Sequence, residues 1–226
     1  IAEFTLGLIL ALNRHLPRAA TRTRDGNFSL QGLMGFDLYG KTIGIIGTGK
    51  IAKVLIELLQ GFGMQILGND LYPDEAFAAT HGLRYVSVDE LLRESDIISL
   101  HCPLTKENHH LIDAEAIAKM KEGVMIINTG RGGLIDTEAL IEGLKSRHVG
   151  SAGLDVYEEE GGYFYEDVSD AIIEDDVLAR LLSFNNVLLT SHQAFFTREA
   201  LTNIATTTLQ NVQDYLDGKE LVNEVK

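Results

Sequence analysis

Three segments of the sequence place ionisable side chains directly after predicted buried strands. They are Asn128-Thr129-Gly130-Arg131-Gly132-Gly133, residues 154–160 with Asp155 and Glu160, and residues 190–195 around His192. An arginine can hold a carboxylate through two parallel hydrogen bonds, and a histidine exchanges a proton near neutral pH. Either residue alone is more often structural. Together, the three segments predict a catalytic site for a small acid.

A fourth segment, residues 41–52, predicts a dinucleotide site. Residues 42–46 form a short β-branched run typical of a strand buried on both faces of a parallel sheet. Gly47, Gly49 and Ala52 then give the G-x-G-x-x-A spacing at the start of a predicted helix. The free N–H groups at that helix start favour a pyrophosphate.

Asp70 favours NAD over NADP. It follows a second predicted strand, residues 64–69, and stands eighteen residues after Ala52. A carboxylate at this position can accept hydrogen bonds from both ribose hydroxyls and would repel a 2′-phosphate. The alternative is an ordinary acid at the start of a helix, with no ligand.

Strands and helices alternate along the whole chain, which predicts an α/β fold of the Rossmann type with a doubly wound parallel sheet. In such a sheet the ligand lies at the carboxyl ends of the strands. We expect an N-terminal helix at about residues 2–15 and a polar connection at residues 18–27. We assign residues 1–193 to an NAD-binding domain and residues 194–226 to a C-terminal helix. Strands are expected at 42–46, 64–69, 83–86, 96–101, 123–129, 149–155 and 187–190.

Composition excludes several classes of function. Nineteen basic and thirty-three acidic residues give a net charge of −14, which argues against a nucleic-acid partner. No apolar run is long enough to span a membrane. The single cysteine, Cys102, rules out an internal disulfide and fits a reducing cytoplasm. Residues 158–176 contain nine acids and no Lys or Arg, and we expect a solvated loop there.

A metal site is not expected. His109 and His110, with Glu107 and Asp113 nearby, have suitable residue types. Adjacent side chains do not share a helix face, however, so these residues do not converge on one ion.

The glycine motif and the three polar segments together resemble the D-isomer-specific 2-hydroxyacid dehydrogenases over residues 1–225. The sequence Gln193-Ala194-Phe195 after the histidine resembles the D-lactate dehydrogenases of fermentative bacteria more than the phosphoglycerate or formate branches. The resemblance implies reversible reduction of pyruvate to D-lactate by NADH.

The resemblance also implies three catalytic roles. Arg131 would hold the substrate carboxylate through a forked pair of hydrogen bonds, which lysine cannot reproduce. His192 would protonate the carbonyl oxygen as hydride arrives and take the proton back in the reverse direction. Glu160 would pair with His192, orient it and favour its charged form.

Cofactor positions follow from the same resemblance. Lys50 and Ile51 would lie at the pyrophosphate, although Lys50 and Ala52 depart from the residues common in the family. Thr129, Gly130 and Asp155 would serve the nicotinamide side, next to Arg131. The remaining expected cofactor contacts are Gly47, Gly49, Asp70, His101, Cys102, Pro103 and Asn108.

Two further expectations concern the whole protein. Family members carry a substrate domain before the dinucleotide domain, so we expect this chain to be part of a longer enzyme. The predicted first helix presents Phe4, Leu8, Ile9 and Leu12, an apolar surface that suggests a homodimer or higher oligomer.

Two other functions were weighed. An NAD-sensing protein without catalysis, such as a corepressor, could keep the same residues. A methyltransferase also uses a glycine loop and an acid, but it has no use for the Arg, Glu and His set.

Overall fold

The computed structural model describes residues 1–224 and contains one seven-stranded sheet in which every neighbouring pair is parallel. The strand order is β3-β2-β1-β4-β5-β6-β7. This is the predicted doubly wound Rossmann-type arrangement, with its change of direction between β1 and β4. The strands are β1 Thr42–Ile46, β2 Gln65–Asn69, β3 Leu83–Tyr85, β4 Ile97–Leu100, β5 Val124–Asn128, β6 Val149–Leu154 and β7 Val187–Leu189.

Helices lie before the first strand, in every crossover between successive strands, and after the last strand. They are α1 Ala2–Asn13, α2 Leu16–Arg24, α3 Lys50–Leu59, α4 Glu75–His81, α5 Val88–Glu94, α6 Ala114–Lys119, α7 Thr137–Ser146, α8 Asp176–Leu182 and α9 Arg198–Leu216. The central strands β4 and β5 are buried at every residue, because helices cover both faces of the sheet.

Local sequence signals set most helix starts. The side chains of Ser87, Asp113 and Asp136 each accept a hydrogen bond from the backbone N–H three residues later. Asp175 and Thr197 cap α8 and α9 in the same way. α3 is different because Gly49 occupies its N-cap position and offers no side chain.

One expectation for the N-terminal region is wrong, and a second loses the observation on which it was based. The polar stretch 18–27 is largely helical, since α2 begins with Pro17 in its first turn and continues to Arg24. Leu8, Ile9 and Leu12 of α1 are buried within this chain, in the apolar cluster that also contains Leu55 of α3. The apolar face of α1 therefore gives no support to the expected homo-oligomer, which stays a prediction.

Residues 158–176 form a largely exposed loop, as expected, and hydrogen bonds hold it at both ends. Tyr157 donates a hydrogen bond to Asp175 (2.7 Å), and the Asp175 N–H donates to the Tyr163 hydroxyl (3.0 Å). Burial, followed by the hydrogen bond to Asp175, raises the pKa of Tyr157, so the phenol keeps its proton. Both ends of this acidic segment are thereby fixed.

The chain divides into two compact units, Ile1–His192 and a second unit that starts at Gln193. In the second unit, α9 carries the apolar residues Leu201, Ile204, Val212 and Leu216, all of them exposed. The assignment of functional domains to residues 1–193 and 194–226 stays a prediction, and residues 225 and 226 lie outside the described part. Within that part, no helix has the length and apolar character that crossing a bilayer requires.

Candidate active site

Sheet topology brings the three polar segments to one edge. β5, β6 and β7 are neighbours, and their last residues pair in register, Asn128 with Leu154 and Leu154 with Leu189. The loops that carry Arg131, Glu160 and His192 therefore leave the sheet at the same level. Convergence of these loops is what a doubly wound sheet requires at its carboxyl edge.

His192 and Glu160 form a direct pair. Nδ1 of His192 lies 2.8 Å from Oε1 of Glu160, and both side chains are about three-quarters buried. The other carboxylate oxygen of Glu160 accepts a hydrogen bond from the Tyr157 N–H (3.2 Å). Because a carboxylate only accepts, Nδ1 carries the proton of this hydrogen bond and Nε2 is the ring nitrogen that Glu160 leaves to other partners.

The backbone of His192 is held in an unusual conformation. Its φ is 54°, in the left-handed region, and its N–H donates to the Asp155 carbonyl (2.7 Å). The Asp155 carboxylate is fully buried and accepts a hydrogen bond from the Thr190 hydroxyl (2.6 Å). Asp155 thus ties the end of β6 to the loop after β7 and positions the imidazole.

Tyr165 is a neighbour of His192 that sequence reasoning missed. Its hydroxyl donates to the His192 carbonyl (3.2 Å), and the two rings stack with centroids 6.2 Å apart. Tyr165 lies in the acidic segment, where no local pattern marks it. The contact of Tyr165 with His192 depends on how the acidic segment folds back toward the loop after β7.

Arg131 is exposed, and its guanidinium donates to the Gly130 carbonyl (2.8 Å). Within residues 1–224 no carboxylate forms an ion pair with Arg131. The ordinary alternative for such a residue, a surface salt bridge, is therefore not what the structure shows. The guanidinium is available to an external carboxylate.

Asn128 is the second residue that sequence reasoning left without a role. Its buried amide accepts from the Gly130 N–H (3.0 Å) and donates to the Arg131 carbonyl (2.9 Å). Thr129 forms a buried hydrogen bond with Thr5 of α1 (2.9 Å). These contacts fix the backbone from which the Arg131 side chain extends.

The glycine loop has the geometry of a phosphate cradle. Gly47 has φ 90°, and a Cβ there would lie 2.4 Å from the Cys102 nitrogen, so only glycine fits. A Cβ on Gly49 would meet nothing within 4 Å. The uncapped N–H groups of α3 therefore face open space, with the exposed Lys50 and Ile51 in its first turn.

Asp70 lies at the end of β2, directly beside the glycine loop. Its carboxylate accepts from the Thr48 N–H (2.6 Å), the Thr48 hydroxyl (3.2 Å) and the Tyr72 N–H (2.9 Å). Partial burial opposes ionisation, but the amides of Tyr72 and Thr48 hold the pKa of Asp70 below its usual value. The carboxylate is therefore charged at neutral pH.

The loop after β4 lies beside the glycine loop and presents two side chains that are uncharged near neutral pH, His101 and Cys102. Burial lowers the pKa of His101 to about 4 and raises the pKa of the Cys102 thiol, so both are neutral near pH 7. Asn108 folds the loop by donating to the Pro103 carbonyl (2.8 Å) and accepting from the Thr105 N–H (2.7 Å).

These features fit a dinucleotide. The open position above Gly49 would take the pyrophosphate, and the Asp70 carboxylate would take the ribose hydroxyls. The other candidate cofactor residues lie at the same carboxyl edge of the sheet. His101 follows β4, and Thr129 and Gly130 follow β5, directly before Arg131.

Comparisons with known proteins agree with this geometry. Residues 6–194 match the family model described as D-isomer specific 2-hydroxyacid dehydrogenase, NAD binding domain. The chain is 53% identical over 225 residues to D-lactate dehydrogenase of Escherichia coli, covering 100% of this chain and 68% of that protein. It is 49% identical over 216 residues to an aromatic 2-oxoacid reductase of Clostridium sporogenes, covering 95% of this chain and 65% of that protein.

A solved structure of the pyruvate reductase of Chlamydomonas reinhardtii superimposes with a TM-score of 0.94 at 47% identity. The match covers 98% of this chain and 67% of that one. About a third of each of these relatives has no counterpart in the present chain.

Proposed function

The chain belongs to the D-isomer-specific 2-hydroxyacid dehydrogenase family and carries its NAD-binding domain, and from this we propose that the protein reduces pyruvate to D-lactate with NADH, reversibly. The family makes it an NAD-dependent oxidoreductase that acts on the CH–OH group of a D-2-hydroxy acid. The observation that carries the proposal is the His192–Glu160 pair at 2.8 Å, on the same sheet edge as Arg131, which forms no ion pair with any described residue.

In the proposed mechanism Arg131, His192 and Glu160 have separate roles. NADH, when bound, supplies the hydride that reaches the carbonyl carbon of the keto acid. Arg131 binds the substrate carboxylate and so fixes the direction in which the carbonyl points. Nε2 of His192 donates a proton to the carbonyl oxygen as negative charge develops there, and it accepts the proton back in lactate oxidation.

Glu160 and the surrounding hydrogen bonds support this proton transfer. The carboxylate holds the proton on Nδ1 of His192 and stabilises the imidazolium that forms during lactate oxidation. The Asp155 carbonyl and the Tyr165 hydroxyl hold the backbone of His192. The imidazole therefore needs little reorganisation when substrate binds.

Pyruvate is proposed over larger keto acids because Gln193-Ala194-Phe195 follows the histidine, as in the D-lactate branch. We expect kcat/KM for pyruvate to exceed that for phenylpyruvate in an NADH oxidation assay on the intact protein, with the D-isomer of lactate as product. A higher kcat/KM for phenylpyruvate would contradict the substrate assignment. NADH binding without turnover of either acid would instead favour the NAD-sensing alternative.

Asp70→Asn tests the proposed ribose contact. Asparagine keeps an oxygen that can accept from the Thr48 N–H, but it removes the charge that would repel a 2′-phosphate. We expect the preference for NADH over NADPH to fall by about tenfold or more, on the scale of one lost charge-assisted hydrogen bond. Fluorescence titration with both cofactors measures it.

Asp74→Asn is the matched control. Asp74 lies four residues away, caps α4 and pairs with Lys53, and asparagine caps helices equally well. The control should keep the cofactor preference of the parent protein. An unchanged preference in Asp70→Asn would remove Asp70 from the cofactor site.

A cytoplasmic location is also proposed, from the single cysteine and its lack of any intrachain disulfide partner.

A further inference from the structure

Two histidines and a glutamate meet beside the Arg131 loop. One ligand atom from each of His109, His110 and Glu158 lies within 4.8 Å of the other two. His109 and His110 belong to the loop after β4, and Glu158 belongs to the loop after β6. The cluster therefore joins two loops on either side of β5.

We propose that His109, His110 and Glu158 form a binding site for a divalent transition-metal ion of the Zn²⁺ class. Two imidazole nitrogens and one carboxylate oxygen are a donor set that Zn²⁺ accepts, with a fourth position open to water or a small anion. The proposal concerns metal binding alone and does not depend on the substrate or the activity proposed above.

The carboxylate is already oriented for this role. Oε2 of Glu158 accepts from the N–H (2.9 Å) and the hydroxyl (2.6 Å) of Thr137 at the start of α7. Oε1 is thereby directed to Nε2 of His110, 2.5 Å away. Hydrogen bonds of this kind, which hold a ligating carboxylate in place, are a regular feature of metal sites.

The backbone holds His110 in place. His110 has φ 56°, and its N–H donates to the Gly133 carbonyl (2.8 Å). His109 is exposed and stacks on the His110 ring with centroids 3.9 Å apart. His110 and Glu158 are thus fixed, whereas His109 can turn its ring toward an ion.

The simpler reading is a histidine–glutamate hydrogen bond that holds two loops together without a metal. The site with a metal and the site without one differ in whether Nε2 of His110 carries a proton. The proton between Nε2 of His110 and Oε1 of Glu158 must leave this position, by moving to Nδ1 of His110 or to solvent, before both atoms can bind an ion. The two atoms must also separate to about 3.3 Å, the spacing of tetrahedral ligands with bonds of about 2.0 Å.

No metal was expected here because adjacent side chains do not share a helix face, but His109 and His110 lie in a turn of the loop after β4, where that rule does not apply. Glu158 lies 48 residues from His110 in sequence and reaches it through the fold. An ion at this site would fix the loop that carries Pro103 and Asn108 to the loop that carries Glu160.

Calorimetric titration of the metal-stripped protein with Zn²⁺ tests the proposal. We expect one equivalent of Zn²⁺ to bind. Co²⁺ should give visible absorption bands of a nitrogen- and oxygen-ligated ion. His109→Gln should weaken binding by more than about tenfold, the scale of losing even an outer partner of a ligand.

Glu158→Gln is the second variant, because glutamine can still accept from Thr137 but supplies no negative ligand. His15→Asn is the control, since His15 is a partly exposed histidine whose left-handed backbone asparagine tolerates. The control should bind Zn²⁺ like the parent. The absence of uptake by the parent protein, or uptake that survives His109→Gln, would overturn the three-ligand site.

Discussion

His192→Asn is expected to lower kcat for pyruvate reduction by roughly a hundredfold or more, the scale of losing a general acid. Asparagine is preferable to alanine because His192 has φ 54°, a backbone conformation that asparagine tolerates better than most residues. The substitution therefore removes the proton donor and disturbs the loop after β7 as little as possible.

The effect should fall on kcat and leave NADH binding unchanged. The candidate cofactor residues nearest the pyrophosphate, Gly47 and Gly49, belong to the loop after β1, and three strands lie between β1 and β7, which precedes the His192 loop. Steady-state kinetics with pyruvate and fluorescence titration with NADH separate the two effects. His15→Asn, which changes the same residue type at another left-handed position, should keep the parent kcat. A kcat in His192→Asn close to that of the parent would remove His192 from the chemistry.

The fold could be predicted from sequence because its determinants are local. Buried β-branched runs such as Thr42–Ile46 mark central strands of a parallel sheet, and acids such as Asp113 and Asp136 cap the helices that follow. α2 escaped prediction because it is short and rich in Arg and Thr, with no buried residue, so no apolar run marks it.

The residue types of the candidate site could be predicted, but their contacts could not. Glu158, Glu159 and Glu160 are adjacent and chemically identical, and only the resemblance to a family distinguished Glu160. In the structure Glu160 contacts His192, while Glu158 contacts His110 and Thr137. Such choices depend on how separate loops pack, which spacing along one segment does not encode.

The supporting residues were missed for the same reason. Asn128 ends a buried strand, where a polar side chain needs hydrogen-bond partners, and this signal could have identified it. Its partners turned out to be the backbone groups of Gly130 and Arg131. Tyr165 had no comparable signal, because it lies within the acidic loop and not at a strand end or helix cap.

Arg131→Lys should raise KM for pyruvate by about ten- to a hundredfold. A charge-assisted, forked pair of hydrogen bonds is replaced by a point charge on a flexible stem, a loss of about 1.5–3 kcal/mol. The positive charge is retained, so the experiment isolates geometry from charge. The Asn128 amide holds the backbone of residue 131 through its carbonyl, and lysine leaves that contact intact.

Arg84→Lys is the matched control for this substitution. Arg84 uses its own fork on Glu90 and Glu94, and it lies on β3, at the sheet edge opposite β7. The control should leave KM for pyruvate unchanged, because an exposed ion pair far from the site contributes little to it. KM for pyruvate is measured at saturating NADH, so that differences in cofactor binding do not affect its value. If Arg131→Lys binds pyruvate as well as the parent does, the carboxylate is held elsewhere, and the proposed orientation of the carbonyl toward His192 loses its basis.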